Sequence, residues 1–273
     1  MVLSNLRLII DNAHDAATLT ATSEALPVAY TQRSGRSYVW RSAGLGEQTI
    51  TGTFDVPRFI SSLVVYNHNL SSEGTIRFEY LLNGDVVFDT GPVISADIIP
   101  LGVWRAGIDP WGAQDLTELP AVQYNVWTES TLVSGYRITL NDPGNSDGFL
   151  QIARVFSGIP YSPEYNASFG LSLEWLEFAE NKRTESGSLR TIGEGTARRL
   201  SFDLAHLNSA GLGALGKELL RAGKRSDVYI SVYPETGGMR EAEHAFVCRR
   251  ESNYSHNHDF FNNWQAPLTF EEV

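Results

Sequence analysis

Apolar and polar residues alternate with a period of two along most of this chain, the spacing of strands that turn one face to a core and the other to water. Over residues 75–81, Ile76, Phe78 and Tyr80 alternate with Thr75, Arg77 and Glu79, and Asn83-Gly84 separates this run from Val86–Phe88. Asn-Gly supplies the positive φ angles of a tight two-residue turn, so the pair predicts a β-hairpin. Tyr136, Ile138 and Leu140 repeat the alternation and run into the turn formers Asn141-Asp142-Pro143-Gly144-Asn145. Further strands are predicted at Tyr38–Arg41, Gln48–Phe54, Ser62–Tyr66 and Leu150–Phe156. Many short strands separated by Gly, Pro, Asn and Asp predict a β-sandwich. Between Val93 and Thr131 the periodicity lapses among Pro100, Trp104, Pro110, Trp111, Pro120 and Trp127, and this stretch is expected to be an irregular insertion that makes contacts.

The pattern changes after Gly158–Tyr165, where Pro160 and Pro163 bracket a polar stretch. Phe169, Leu171, Leu173 and Trp175 alternate, Ala179–Gly195 is polar and charged, and Leu200 and Phe202 resume a strand. One helix is predicted, with Asn208 or Ser209 as its N-cap, Leu212, Leu215 and Leu219 on one stripe, and an end near Gly223. Gly211, Gly213 and Gly216 each cost about 1 kcal/mol relative to alanine inside a helix, so this helix must be held by packing. Val228, Ile230 and Val232, then Ala245–Cys248 and Leu268–Phe270, add strands, and the second part reads as α+β.

Composition narrows the function classes. The 273 residues can bury one large or two modest cores, and the single Cys248 excludes an internal disulfide framework. With 21 Lys and Arg against 32 Asp and Glu, the chain carries a formal charge of −11, which disfavours a general nucleic-acid partner and leaves only a local basic face around Arg183–Arg225. No run approaches the roughly 20 apolar residues that span a bilayer, and the short apolar start interrupted by Arg7 is not read as a secretory signal. The chain is expected to be soluble or part of a soluble assembly, with no membrane insertion.

Two segments have the residue types of a site. His256-Asn257-His258-Asp259 would place two imidazoles on one face of a strand beside a carboxylate, but nothing else in the sequence anchors a metal there. It is read as a solvated or interface loop, and no metal or cofactor is expected. In Tyr66-Asn67-His68-Asn69-Leu70-Ser71 a strand end could present His68 and Asn69 to a polar ligand, with Trp104 or Trp111 supplying an aromatic face for a sugar ring. The competing reading has Asn67 and Asn69 bonding loop backbone and His68 capping the turn. There is no Gly-x-Ser-x-Gly elbow and no phosphate-binding glycine loop, and Cys248 is expected to be buried in a strand. No catalytic residues are assigned, and an enzyme is not expected.

The run Ser62-Leu63-Val64-Val65-Tyr66-Asn67-His68-Asn69-Leu70-Ser71, then Gly74-Thr75-Ile76-Arg77 and Phe88-Asp89-Thr90-Gly91, resembles tail proteins of tailed bacteriophages. Gly135-Tyr136-Arg137-Ile138 and Leu150–Gly158 resemble the closing strands of the galactose-binding, or discoidin-like, module found there, and Trp175, Arg198–Asp203 and Asp227–Ile230 extend the resemblance. It implies a mainly β fold, with a jelly-roll, galactose-binding-like sandwich over residues 1–160 and a smaller α+β assembly domain over 161–273. It further implies a structural virion protein of a tail tip or baseplate, a homo-oligomeric ring packed against other tail proteins, made in the host cytoplasm. The alternative is a carbohydrate-binding module that recognises a host-surface glycan.

Overall fold

The computed structural model describes residues 4–71, 73–94 and 122–273. As expected the chain is mainly β, and it divides into two compact units: residues 1–162 with 227–247, and residues 163–226 with 248–273. The strands are numbered in chain order. The first unit holds β1 (Arg7–Ile9), β2 (Thr18–Ala21), β3 (Trp40–Arg41), β4 (Gln48–His68), β5 (Thr75–Leu82), β6 (Asp85–Asp89), β7 (Val93–Ile94), β8 (Gln123–Asn141), β9 (Gln151–Gly158) and β14 (Val228–Ser231).

β4 and β8 run antiparallel along their whole length and build both layers of the sandwich. In one layer, the start of β4 pairs with β2 and with the end of β8, and β8 in turn pairs with β5, β6 and β7 following on. In the other, the end of β4 lies between β9 and the start of β8, and β3 pairs with β9. Register shifts between Thr53 and Arg58, and between Ile60 and Ser62, bend the ribbon from one layer into the next. The two expected strands Gln48–Phe54 and Ser62–Tyr66 are therefore one strand of 21 residues, continuous through Pro57. Its burial alternates at first, then becomes continuous from Ser62 to Tyr66, because that half is covered on both faces.

Ile50, Phe78, Tyr80, Ile138, Leu140, Val65, Ile152 and Val155 meet in one fully buried core between the layers. Gly52 sits opposite Tyr136 in the β4–β8 ladder, and the Tyr136 ring occupies the space that a Cβ at residue 52 would need. The expected Asn83-Gly84 turn joins β5 to β6, with φ of 54° and 97°. Two expectations are corrected. Residues 123–131 belong to β8 rather than to an irregular insertion; here Ile60↔Thr131 and Ser62↔Trp127 place the polar run Thr128–Ser130 in a register shift that hides the alternation.

The second correction concerns the boundary. The chain first changes unit at Ser162–Pro163, two residues from the expected division, but residues 161–273 do not form one contiguous domain. β14 returns to the first unit because β1 pairs with it and because Tyr229 packs its ring on Phe156 and Trp127, at centroid distances of 5.9 and 6.3 Å. Tyr229 Oη also donates to Gln123 Oε1 at 2.9 Å. The short helix α2 (Gly238–Glu243) follows, and the chain leaves this unit within β15 (Ala245–Arg250).

The second unit contains β10 (Ser172–Glu177), β11 (Glu180–Arg183), β12 (Leu189–Ile192), β13 (Thr196–Leu207), α1 (Ser209–Ala222), β16 (Asn257–Phe260) and β17 (Asn263–Glu272). β13 is flanked by β10 and β17, and β17 also pairs with β16 and with Cys248–Arg250. Phe202 stacks on Phe270 at 6.0 Å, and Leu200, Leu204, Leu215, Leu219, Ala266 and Leu268 are buried. The helix begins and ends as predicted: Asn208 Oδ1 caps Gly211 N–H at 2.7 Å, and Gly223 takes a φ of 63°. Arg198 is fully buried and forms a two-pronged pair with Glu272, at 2.9 and 2.5 Å.

Candidate binding surfaces

The loop predicted to present His68 and Asn69 is occupied with its own structure. Asn69 Nδ2 donates to Asp147 Oδ2 (2.9 Å) and to the Phe149 carbonyl (3.0 Å), while its Oδ1 accepts Gln151 N–H (2.7 Å). Asp142 accepts from Ser71 N–H and Oγ and from Asn145 Nδ2, which also reaches the Asn69 carbonyl. His68 is buried and its Nδ1 accepts Leu70 N–H at 3.3 Å. Burial drives its pKa down to about 4 against the opposing pull of Asp142, so the ring is neutral in the fold. Trp104 and Trp111 lie outside the described residues.

A second buried polar group sits inside the sandwich. His14 is completely enclosed, with Nδ1 against Tyr136 Oη and Nε2 against Thr31 Oγ1 at 2.9 Å. Burial first, and the Arg154 charge second, lower its pKa to about 3, and burial raises that of Tyr136. Arg154 clamps Asp15 at 2.5 and 2.8 Å and lies 3.6 Å from Asp227. A His, a Tyr and two carboxylates are the ingredients of acid-base chemistry, but His14 and Tyr136 have no exposed surface and no substrate could reach them. The network instead ties the 3-10 turn Ala13–Ala16 to β8 and β9.

The outward face of the first layer forms a shallow groove of about 460 Å³. Thr49, Thr75, Arg77, Glu79, Arg137 and Thr139 line it, set side by side by the ladders Thr49↔Thr139, Arg77↔Thr139 and Glu79↔Arg137. Its charges are mutually paired: Arg77 grips Asp89 at 2.8 and 2.6 Å, and Glu79 lies 3.2 Å from Arg77 and 3.3 Å from Arg137. The Arg77 hydrogen bonds and the Gly91 amide hold the Asp89 carboxyl at about 2. The face offers hydroxyls and guanidinium edges to a polar ligand.

The second unit contains a cleft of about 540 Å³ lined by Glu164, Tyr165, His206, Asn208, Asn262 and Asn263. A β-bulge between Leu204 and Leu207 turns His206 outward, where it meets Tyr165 edge to face at 6.0 Å. Asn262, at φ 52° in the β16–β17 turn, accepts Ser209 N–H through Oδ1 at 3.2 Å, and Asn263 donates to the Ala205 carbonyl at 3.1 Å. The sequence hid this cleft because its residues come from three separate segments. The available signal was the run Phe260-Phe261-Asn262-Asn263, whose aromatic side chains are 76% and 88% exposed.

His256 and His258 are ring-packed rather than convergent: His258 stacks on Trp264 at 4.6 Å and His256 lies beside Tyr254. Among the described residues no three His, Cys, Asp or Glu side chains gather as metal ligands. Cys248 is buried in β15. The segment 179–195, predicted only as polar, is a two-stranded ribbon in which, among the described residues, β11 and β12 pair only with each other, and each of their residues is exposed. Phe178, Leu189 and Ile192 are more than half exposed on it.

No family model matches this chain. No curated protein sequence matches it either. Among solved structures, it is similar to chitosan-binding module 1 of a chitosanase/glucanase from Paenibacillus sp. IK-5, at 11% identity and a TM-score of 0.37 over 54% of this chain and 97% of that one. A family 32 carbohydrate-binding module from Clostridium perfringens NanJ, solved with galactose, gives 16% identity and 0.37 over 56% and 98%. A Streptococcus pneumoniae fucose binding module gives 12% and 0.37 over 54% and 96%. These comparisons give the tail or baseplate expectation no support, and at such scores they assign no ligand.

Proposed function

We propose that this chain is a non-catalytic assembly protein whose second unit makes the joining contact. The supporting observation is the β11–β12 ribbon. Two strands without a third strand or a covering layer are marginal in water, yet this ribbon carries Leu189 on one face and Ile192 on the other, with Phe178 at its base. Apolar side chains so placed are covered when a partner docks. The partner is another copy of the chain or a neighbouring component, and the particle implied by the sequence resemblance is a phage tail tip or baseplate. Native mass spectrometry of the full chain should show an oligomer that the Leu189→Ser/Ile192→Ser double variant loses. A chain monomeric at every concentration, and absent from purified virions by immunogold labelling, would refute the reading.

Carbohydrate recognition by the sandwich is the second reading, favoured by the groove of paired Arg, Glu and Thr side chains on its outer layer. Threonine hydroxyls and fixed guanidinium edges suit the vicinal hydroxyls of a sugar. Binding to a glycan array that disappears in Thr139→Val or Arg137→Ala would support it, and a blank array would remove it.

A further inference from the structure

The cleft of the second unit is chemically unlike the groove of the sandwich. It combines an exposed aromatic ring, Tyr165, with planar amides from Asn262 and Asn263, the imidazole of His206 and the carboxylate of Glu164. We infer that it is a saccharide site for a neutral hexose unit, presented outside the sandwich. This goes beyond the assembly reading. It shares a ligand class with the groove reading but none of its residues, so either can fail without the other.

Sugar rings are held by two kinds of contact. Their C–H face lies on an aromatic ring, and their hydroxyls take paired bonds from planar amides and carboxylates. Tyr165 is 58% exposed, and the edge of His206 steadies it from one side at 72°. Each asparagine is anchored by one end of its amide. Asn262 uses its oxygen on Ser209 N–H, which directs its NH2 group to be the donor, while Asn263 uses its nitrogen on the Ala205 carbonyl, which leaves its oxygen as acceptor. One donor and one acceptor on successive residues match the dual character of a hydroxyl pair. Glu164 is itself positioned by Asn208 Nδ2 at 2.8 Å.

The same bonds set the charge of the ligand. The first amides of α1 are already taken, Ser209 N–H by Asn262 and Gly211 N–H by Asn208, so the helix start offers little to an anion. Glu164 repels one. A neutral ring is selected over a sialylated or sulfated one. The volume, about 540 Å³, lies within the roughly 300–1,000 Å³ of small-molecule sites.

Saturation-transfer NMR on the full chain, with methyl galactoside, methyl glucoside and di-N-acetylchitobiose as probes, tests this directly. At least one probe should receive saturation, and Tyr165→Ala should weaken it about tenfold while Tyr165→Phe keeps it. Asn263→Asp should weaken it too, and Thr139→Val in the sandwich groove should leave it unchanged. Because Tyr165 is exposed, an unchanged melting curve for Tyr165→Ala separates lost binding from lost folding. No transfer to any probe, transfer indifferent to Tyr165→Ala, or preference for sialyllactose over the neutral probes would overturn the inference.

Discussion

The two units treat polar chemistry in opposite ways. The first draws it inward: His14 and His68 are enclosed and neutral, Arg154 is clamped on Asp15, and the Asn69 and Asp142 side chains are used on their own loops. The second leaves its imidazoles at the surface, with His206, His256 and His258 exposed beside aromatic rings, and buries the Arg198–Glu272 pair together with Arg250. Groups locked into loops and turns determine shape, whereas those left beside open rings remain available to a partner. On the assembly reading proposed above, the sandwich serves as scaffold and the smaller unit presents the contacts.

The largest effect on this contrast is expected from Arg198→Ala. It strands Glu272 without its partner in a dry site and should cost about 3 to 5 kcal/mol, lowering the urea midpoint of the second unit while leaving the first near its own. Replacing the pair together by Met and Leu should recover most of that loss, and a double variant as weak as the single one would show that the pair is not desolvated as described. Gly52→Val comes next. Its side chain must displace the Tyr136 ring and with it the His14 contact, and a loss of about 3 kcal/mol confined to the first unit is expected in chemical denaturation.

Acid should then separate the units without any mutation. The folded pKa values of His14 and His68, about 3 and about 4, lie below the ordinary 6.5, so the unfolded chain binds protons first as pH falls. Stability of the first unit is complete above pH 6.5 and declines below it, by up to about 1.4 kcal/mol per pH unit for each histidine, until the folded values are reached. Tryptophan fluorescence and histidine NMR shifts across pH 7 to 4 should show the first unit weakening before the second. Equal acid sensitivity would break the contrast. The smallest effect belongs to Leu189→Ser/Ile192→Ser, which should change the stability of the isolated chain by less than about 0.5 kcal/mol while abolishing association.

The period-two pattern made the sandwich legible because one face of each strand meets a core: Ile76, Phe78 and Tyr80 read correctly for that reason, and so did the Asn83-Gly84 turn and the caps of α1. Legibility failed where neither face is buried: Ser62–Tyr66, covered on both faces, still reads as a strand from its apolar run, whereas Glu180–Arg183 shows no alternation because both its faces are exposed. The return of Val228–Ser231 to the first unit depends on Tyr229 meeting Phe156 and Trp127, far from it in sequence, and local periodicity carries no such information. His68 and Asn69 drew attention by residue type, although the bonds they make run within their own loop and to Asp147, Phe149 and Gln151. The cleft was hidden in the reverse way, since ordinary turn residues from three segments build it.

The return of residues 227–247 also bears on how the chain is made. Phe156 and Trp127, in the layer built by β9 and the start of β8, are packed by Tyr229, and the segment that carries Tyr229 is translated only after residues 163–226 have emerged. Closure of the first unit must therefore wait for the middle of the second, which makes the order of synthesis differ from the order of completion and ties the two units into one folding schedule.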